Sequence, residues 1–256
     1  MMKRWMLVWV IGLGCGLGAQ GQVGFPASFV PKPEALEALV SDGSVRVEVV
    51  LNSVAVFDPV GVRASKGLIL YPGGFVDFRS YAPLARAVAA KGYRVVVVKP
   101  PLDLAILGTW WVNPIVRFYG DIERWAVGGH SLGGVAAAQV AGGGGRPQKL
   151  RGVVLLGSYP SRQGNLAGSG LSVISIFGSE DGLTTPADVA RSLSLLPRSV
   201  VLVPVAGANH TQFGSYWDGA GEPEAFVQPG DNPALILPET QTQAIADVIG
   251  VFMMSL

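Results

Sequence analysis

The chain has 256 residues, 49% of them hydrophobic and 14% charged, with a net charge of +1. That length can bury one sizeable core, and without a basic stripe the charge balance argues against a nucleic-acid partner. A single cysteine, Cys15, rules out both a disulfide framework and a cysteine zinc site within the chain.

The N-terminus reads as a targeting segment. Lys3 and Arg4 precede an apolar run from Trp5 to Leu13, and the small residues Gly18, Ala19 and Gly21 follow. Cleavage after Ala19 or Gly21 is expected, giving a signal peptide over 1–21, a lead-in over 22–44 and one domain over 45–256. The apolar run is shorter than the ~20 residues of a membrane span. The alternative is an uncleaved anchor, the one route by which a membrane enters as a partner.

Pro33 to Val40 has a short helical pattern, and Val45 to Phe57 alternates around Asn52-Ser53 as two paired strands. Gly67 to Tyr71 is a buried strand that runs into Pro72-Gly73-Gly74-Phe75. Tyr81 to Lys91 has helical spacing and stops at Gly92. Tyr93 to Val98 is a β-branched run of the kind covered on both faces. Leu102 to Tyr119 reads as short helices or a loop, with Trp110-Trp111 as core or as pocket wall. Trp125 to Gly128 is a strand followed by Gly129-His130-Ser131-Leu132-Gly133 and an alanine-rich helix to Ala141. Val153–Leu156, Val173–Phe177 and Val200–Val205 are further strands, Pro186–Leu196 is helical, and Glu239–Met254 closes the chain as an amphipathic helix. Strands alternating with helices predict an α/β fold: a mostly parallel eight-stranded sheet with helices on both faces. Gly207 to Pro238 is too long for an idle connection and is expected to be a functional loop.

The strand–turn–helix around Ser131 has the G-x-S-x-G pattern of a nucleophile elbow. In a chain with 35 glycines the bare pattern arises by chance, so its partners decide. An activated serine needs a base, and the base needs an orienting group. The chain has two histidines. His130, inside the elbow, is expected to leave the turn in another direction and to pack or bond beneath it. His210, past the last strand, is the candidate base. Asp181, in Phe177-Gly-Ser-Glu-Asp-Gly182 after the seventh strand, is the candidate acid, preferred to Glu180 because Asp-Gly favours a turn that projects a short carboxylate. The order Ser131, Asp181, His210 follows strands five, seven and eight. Oxyanion donors, worth about 3 kcal/mol each, are expected from the amides of Leu132 and Phe75, with Gly74 next.

These blocks carry a resemblance. Tyr71-Pro-Gly-Gly-Phe-Val-Asp77, Gly129-His-Ser-Leu-Gly-Gly134, Phe177-Gly-Ser-Glu-Asp-Gly182 and Gly207-Ala-Asn-His-Thr-Gln-Phe-Gly214 resemble the α/β-hydrolases, in particular the small ones similar to dienelactone hydrolases and bacterial esterases. The resemblance implies a hydrolase fold with Ser131 as nucleophile, Asp181 as acid and His210 as base, acting on a small-molecule ester without cofactor or metal. It departs in one place: typical dienelactone hydrolases carry a cysteine nucleophile, and this chain has serine, which favours esters over lactones.

The stretch from Gly157 to Ser172 has no room for a large lid, which predicts an open site beside Gly74; Phe75, Tyr159, Phe213, Tyr216 and Trp217 either face it or pack internally. Asp218, Glu222, Glu224 and Asp231 lack a calcium-loop pattern and read as a solvated loop. The competing reading is a catalytically silent hydrolase-fold protein that binds a ligand or partner at the cell envelope; the complete Ser131-Asp181-His210 set argues against it.

Overall fold

A computed structural model describes residues 27–256, so the predicted signal segment and Cys15 lie outside the described residues. The core is an eight-stranded sheet of β2 (Val45–Val50), β3 (Val54–Pro59), β4 (Lys66–Tyr71), β5 (Arg94–Val98), β6 (Arg124–His130), β7 (Leu150–Leu156), β8 (Ser172–Gly178) and β9 (Val201–Val205). Their spatial order is β2-β3-β5-β4-β6-β7-β8-β9. Only β3 runs against the others, pairing antiparallel with β2 and β5. Two further short strands, β1 (Val30–Pro31) and β10 (Tyr216–Trp217), pair with each other outside this sheet.

Alternation along the central strands divides the core. Leu68, Leu70, Val95 and Val97 face one side, where α2 (Ala82–Ala89) and α6 (Pro238–Ser255) bring Leu84, Val88, Ile245, Ile249 and Phe252 against them. Ile69, Tyr71, Val96 and Val98 face the other side, covered by α3 (Val112–Phe118) and α4 (Leu132–Gly142). Both faces are buried, so the strand sequences are apolar throughout rather than alternating with polar residues. Each fully buried valine, leucine or isoleucine contributes about 1.5–3 kcal/mol. The C-terminal carbonyls of α6 are capped from the sheet: Lys66 Nζ donates to Met253 and Met254 at 2.9 and 2.8 Å, and Arg124 donates to Leu256.

The predicted strands and long helices are present, with ends shifted by a few residues. The first helix, α1 (Pro33–Glu37), is shorter than its pattern, and α5 (Pro186–Ser192) passes into a 3-10 turn over Leu193–Leu195. A capping box at Thr185 and Asp188 starts α5. The segment left open between Leu102 and Tyr119 is three 3-10 turns followed by α3. Within it Trp110 and Trp111 stack at 4.4 Å. Trp111 packs against the core, and Trp110, 54% exposed, borders an open depression of about 310 Å³. Among the described residues no helix is long and apolar enough to cross a membrane.

Candidate active site

Ser131 stands between β6 and α4 with φ +51° and ψ −120°, a region that an L-residue occupies only under restraint. The restraint is a close crossing of chain segments. A Cβ on Gly129 would lie 2.3 Å from the carbonyl carbon of Gly133, and one on Gly133 would lie 2.4 Å from the carbonyl oxygens of Tyr71 and Pro72. Glycine at both positions is therefore a steric requirement. The Ser131 amide donates to Leu156 at 3.0 Å. Its carbonyl accepts from the Ser158 hydroxyl at 2.6 Å and from Gly134 and Val135 of α4. The Ser131 hydroxyl makes no bond to the helix it precedes.

Asp181 and His210 are brought together. His210 Nδ1 lies 2.8 Å from Asp181 Oδ2 and 3.0 Å from Oδ1, with the two residues 1% and 2% exposed. Asp181 Oδ1 also accepts from the amides of Leu183 and Thr184 at 2.9 and 2.6 Å. A carboxylate held by amide donors only accepts, so the proton of this pair sits on His210 Nδ1, and in the neutral ring Nε2 carries the lone pair. Gly157, at φ +47°, passes so close to the pair that a Cβ there would meet Asp181 Oδ2 at 2.9 Å and His210 Nδ1 at 3.2 Å. Both bonds of the His210 ring are made by Nδ1, and Ser131 Oγ is not bonded to Nε2. Such bonds are commonly loose before substrate is bound.

His130 leaves the elbow toward the core. Its Nδ1 lies 2.7 Å from the Tyr81 hydroxyl, and its ring centroid is 4.3 Å from that of His210.

The expected oxyanion donor Phe75 requires correction. Its amide donates to the Asp103 carbonyl at 2.8 Å, so it is already paired. Phe75 also has φ +57°, in the left-handed region. Among the described residues the amides of Gly74 and Leu132 are bonded to no acceptor, and Gly74 packs against the Leu132 side chain, 3.2 Å from an ideal Cβ. Among the described residues these two amides, one following Ser131 and one packed on the Leu132 side chain, are left without an acceptor.

Two of the aromatic residues take the internal alternative. Phe213 is 2% exposed, in the core, and stacks on His130 at 5.3 Å and 20°. Tyr216 is fully buried against Phe29 and Phe226, and its hydroxyl donates to Gln228 at 2.7 Å. Both serve packing rather than a substrate surface, because the loop after β9 folds inward over the sheet. Tyr159, Trp217 and Phe75 remain half-buried. Between β7 and β8 the chain forms only a 3-10 turn over Arg162–Gly164, with no cap.

Sequence reasoning missed the residues that hold these loops, and its reading of Asp231 as part of a solvated loop is corrected, because this carboxylate is bonded inward. Asp231 Oδ1 accepts from Gly182, next to Asp181, and Oδ2 from Thr211, next to His210. Gln241, in the first turn of α6, bonds both the amide and the carbonyl of Asn209 at 3.1 and 2.9 Å. Residues 28–31 of the lead-in act as a strap over the loops next to the site. Ser28 donates to Asp103 Oδ2 at 2.5 Å, Phe29 bonds Phe75 and Asp77, and Val30–Pro31 pairs with Tyr216–Trp217. The only signal of this in the sequence is the length of the 207–238 loop. Among the described residues no group of three or more His, Cys, Asp or Glu is placed to hold a metal ion.

A serine on a strand–turn–helix, with acid and base following later strands of a mostly parallel sheet, defines an α/β-hydrolase arrangement. The family model described as the alpha/beta hydrolase family matches residues 67–243, and the chain belongs to that family. A search of curated proteins found no sequence match. Among solved structures, a predicted CIB-like hydrolase from Thermoplasma acidophilum is 15% identical with a TM-score of 0.57, over 81% of this chain and 99% of that one. The esterase domain of a Rhodothermus marinus protein is 14% identical with a TM-score of 0.55, over 78% and 90%. A dienelactone hydrolase from Anabaena variabilis is 18% identical with a TM-score of 0.54, over 83% and 98%. At these identities the likeness is one of fold.

Proposed function

We propose that the chain is a serine hydrolase that cleaves carboxylic esters of small molecules through an acyl-enzyme. The observation that carries this reading is the buried Asp181–His210 pair, whose bond at 2.8 Å fixes the imidazole tautomer that a serine base needs. Ser131 Oγ attacks the acyl carbonyl and its proton passes to His210 Nε2. The charge developing on the carbonyl oxygen is met by the amides of Leu132 and Gly74, each worth about 3 kcal/mol. His210 then returns the proton to the leaving alcohol. Water, deprotonated by the same nitrogen, releases the carboxylic acid and restores Ser131. The esterase domain and the dienelactone hydrolase among its structural relatives are in keeping with this chemistry. The absence of a cap between β7 and β8 favours an open site that admits varied acyl groups.

The test is turnover of p-nitrophenyl acetate and butyrate together with labelling by a fluorophosphonate probe, with Ser131→Ala as control. Turnover and labelling that both vanish in the variant are expected. A wild-type protein that does neither is not a serine hydrolase, and labelling that persists in Ser131→Ala assigns the nucleophile elsewhere. We further propose that residues 1–21 direct export. Mass spectrometry of the secreted protein should find a mature chain beginning after Ala19 or Gly21, and an intact N-terminus there would refute cleavage.

A further inference from the structure

Tyr81 and His130 are both buried, and neither takes part in the chemistry above. The Gly73 amide donates to the Tyr81 hydroxyl at 2.9 Å. A phenol oxygen that accepts this bond still has its own proton to give, and His130 Nδ1 lies 2.7 Å away. With Nδ1 as the acceptor of that proton, His130 is neutral with its own proton on Nε2. Among the described residues that buried Nε2 makes no hydrogen bond of ordinary geometry, its one interaction of that kind being a weak one with the His210 backbone. A poorly matched buried donor costs stability that an apolar ring in the same place would not. Burial, and the His210 ring beside it, hold the His130 pKa well below its ordinary value.

The surroundings give this residue a use. The His130 ring faces His210 with centroids 4.3 Å apart, and Phe213 stacks on it at 5.3 Å. His130 is also the residue before Ser131, and Gly73 the residue before Gly74. We propose that Tyr81 and His130 are a positioning pair: one phenol both fixes the loop that presents the Gly74 amide and locks His130 in its neutral tautomer as the wall against which His210 is held. This rests on the serine-hydrolase reading. When His210 takes up the serine proton, a second cation at this separation in a buried site would oppose the charge strongly. A neutral His130 does not.

The chain contains only two histidines, so the tautomer is directly readable by nitrogen NMR of ¹⁵N-histidine-labelled protein, with His210→Asn to assign the signals. In the wild type His130 should show a bare Nδ1 and a protonated Nε2. A protonated Nδ1 there would overturn the proposal, and this measurement does not depend on any variant folding. In Tyr81→Phe the His130 signals should become a mixture of tautomers. That variant should also lose about tenfold in kcat on p-nitrophenyl acetate, with KM within about twofold, as expected for misplacement rather than lost binding. A folded Tyr81→Phe with wild-type kcat would overturn the proposal as well. Wild-type protein that neither turns over the ester nor takes the fluorophosphonate would overturn the hydrolase reading itself, and this role with it.

Discussion

Asp231 holds Thr211 twice: one carboxylate oxygen accepts both the amide and the hydroxyl of Thr211, each at 2.7 Å. Its other oxygen accepts the amide of Gly182 at 2.9 Å. Thr211 follows His210 and Gly182 follows Asp181, so a single side chain joins the loops carrying the proposed base and acid. Hydrogen bonds to a charged acceptor contribute about 1.5–3 kcal/mol each in favourable cases. Asp231→Ala should therefore lower unfolding stability by about 3 kcal/mol, measured by urea denaturation, and reduce kcat more than it raises KM. A variant with wild-type stability and kcat would show that the two loops hold their positions without it.

Asp231 also marks the limit of what the sequence conveys. The sheet was legible because apolar runs such as Val95–Val98 are covered on both faces and leave little choice of structure. Ser131, Asp181 and His210 were legible as candidates from chain order and from the scarcity of histidine. Asp231, Ser158 and Ser28 were not, because a hydrogen bond between distant loops leaves no period or motif. The Phe75 amide was misjudged for the same reason: its acceptor is the Asp103 carbonyl, in a segment whose path the sequence left open. Phe213 shows a different gap, since an aromatic residue near a site packs inward or faces substrate according to how its loop folds.

The backbone at Ser131 predicts a trade of stability against activity. With φ +51° and ψ −120°, the residue sits where glycine is at ease and serine is not, a strain of about 1–3 kcal/mol. Ser131→Gly should raise the denaturation midpoint by an amount corresponding to about 1 kcal/mol while abolishing ester turnover. A variant less stable than the wild type would mean that the hydroxyl contributes to folding as well.

The strap predicts an effect on the loop of the proposed oxyanion donor Gly74 from a residue remote in sequence. Ser28 donates to Asp103, whose carbonyl fixes the Phe75 amide. Ser28→Ala should cost about 1 kcal/mol of stability and a few-fold in kcat, with Ser28→Thr restoring both. If Ser28→Ala lowers stability but leaves kcat unchanged, the strap supports the fold without steering the loop.

Acid sensitivity follows from His130. Burial holds its folded-state pKa well below 6.5, so between that lower value and 6.5 the unfolded chain binds the proton and the folded one does not. Stability then rises with pH through this window and is lost as pH falls below 6.5, with a slope of at most about 1.4 kcal/mol per pH unit from this one group. At lower pH Asp42 adds to the loss. Hydrogen bonds from Val45 and Ser44 lower its pKa from 3.8 to about 2, so its contribution, present above 3.8, disappears as pH falls toward about 2. Urea unfolding of the wild type and His130→Gln at several values between pH 7.5 and 5, a range that spans histidine titration at about 6.5, separates the two groups. The wild type should weaken steadily on acidification below pH 6.5 and the variant should show a flatter profile, since glutamine can still accept from Tyr81 but has no proton to gain. Parallel profiles would mean that His130, despite its burial between Tyr81, Phe213 and His210, titrates as it does in the unfolded chain, and would overturn this account.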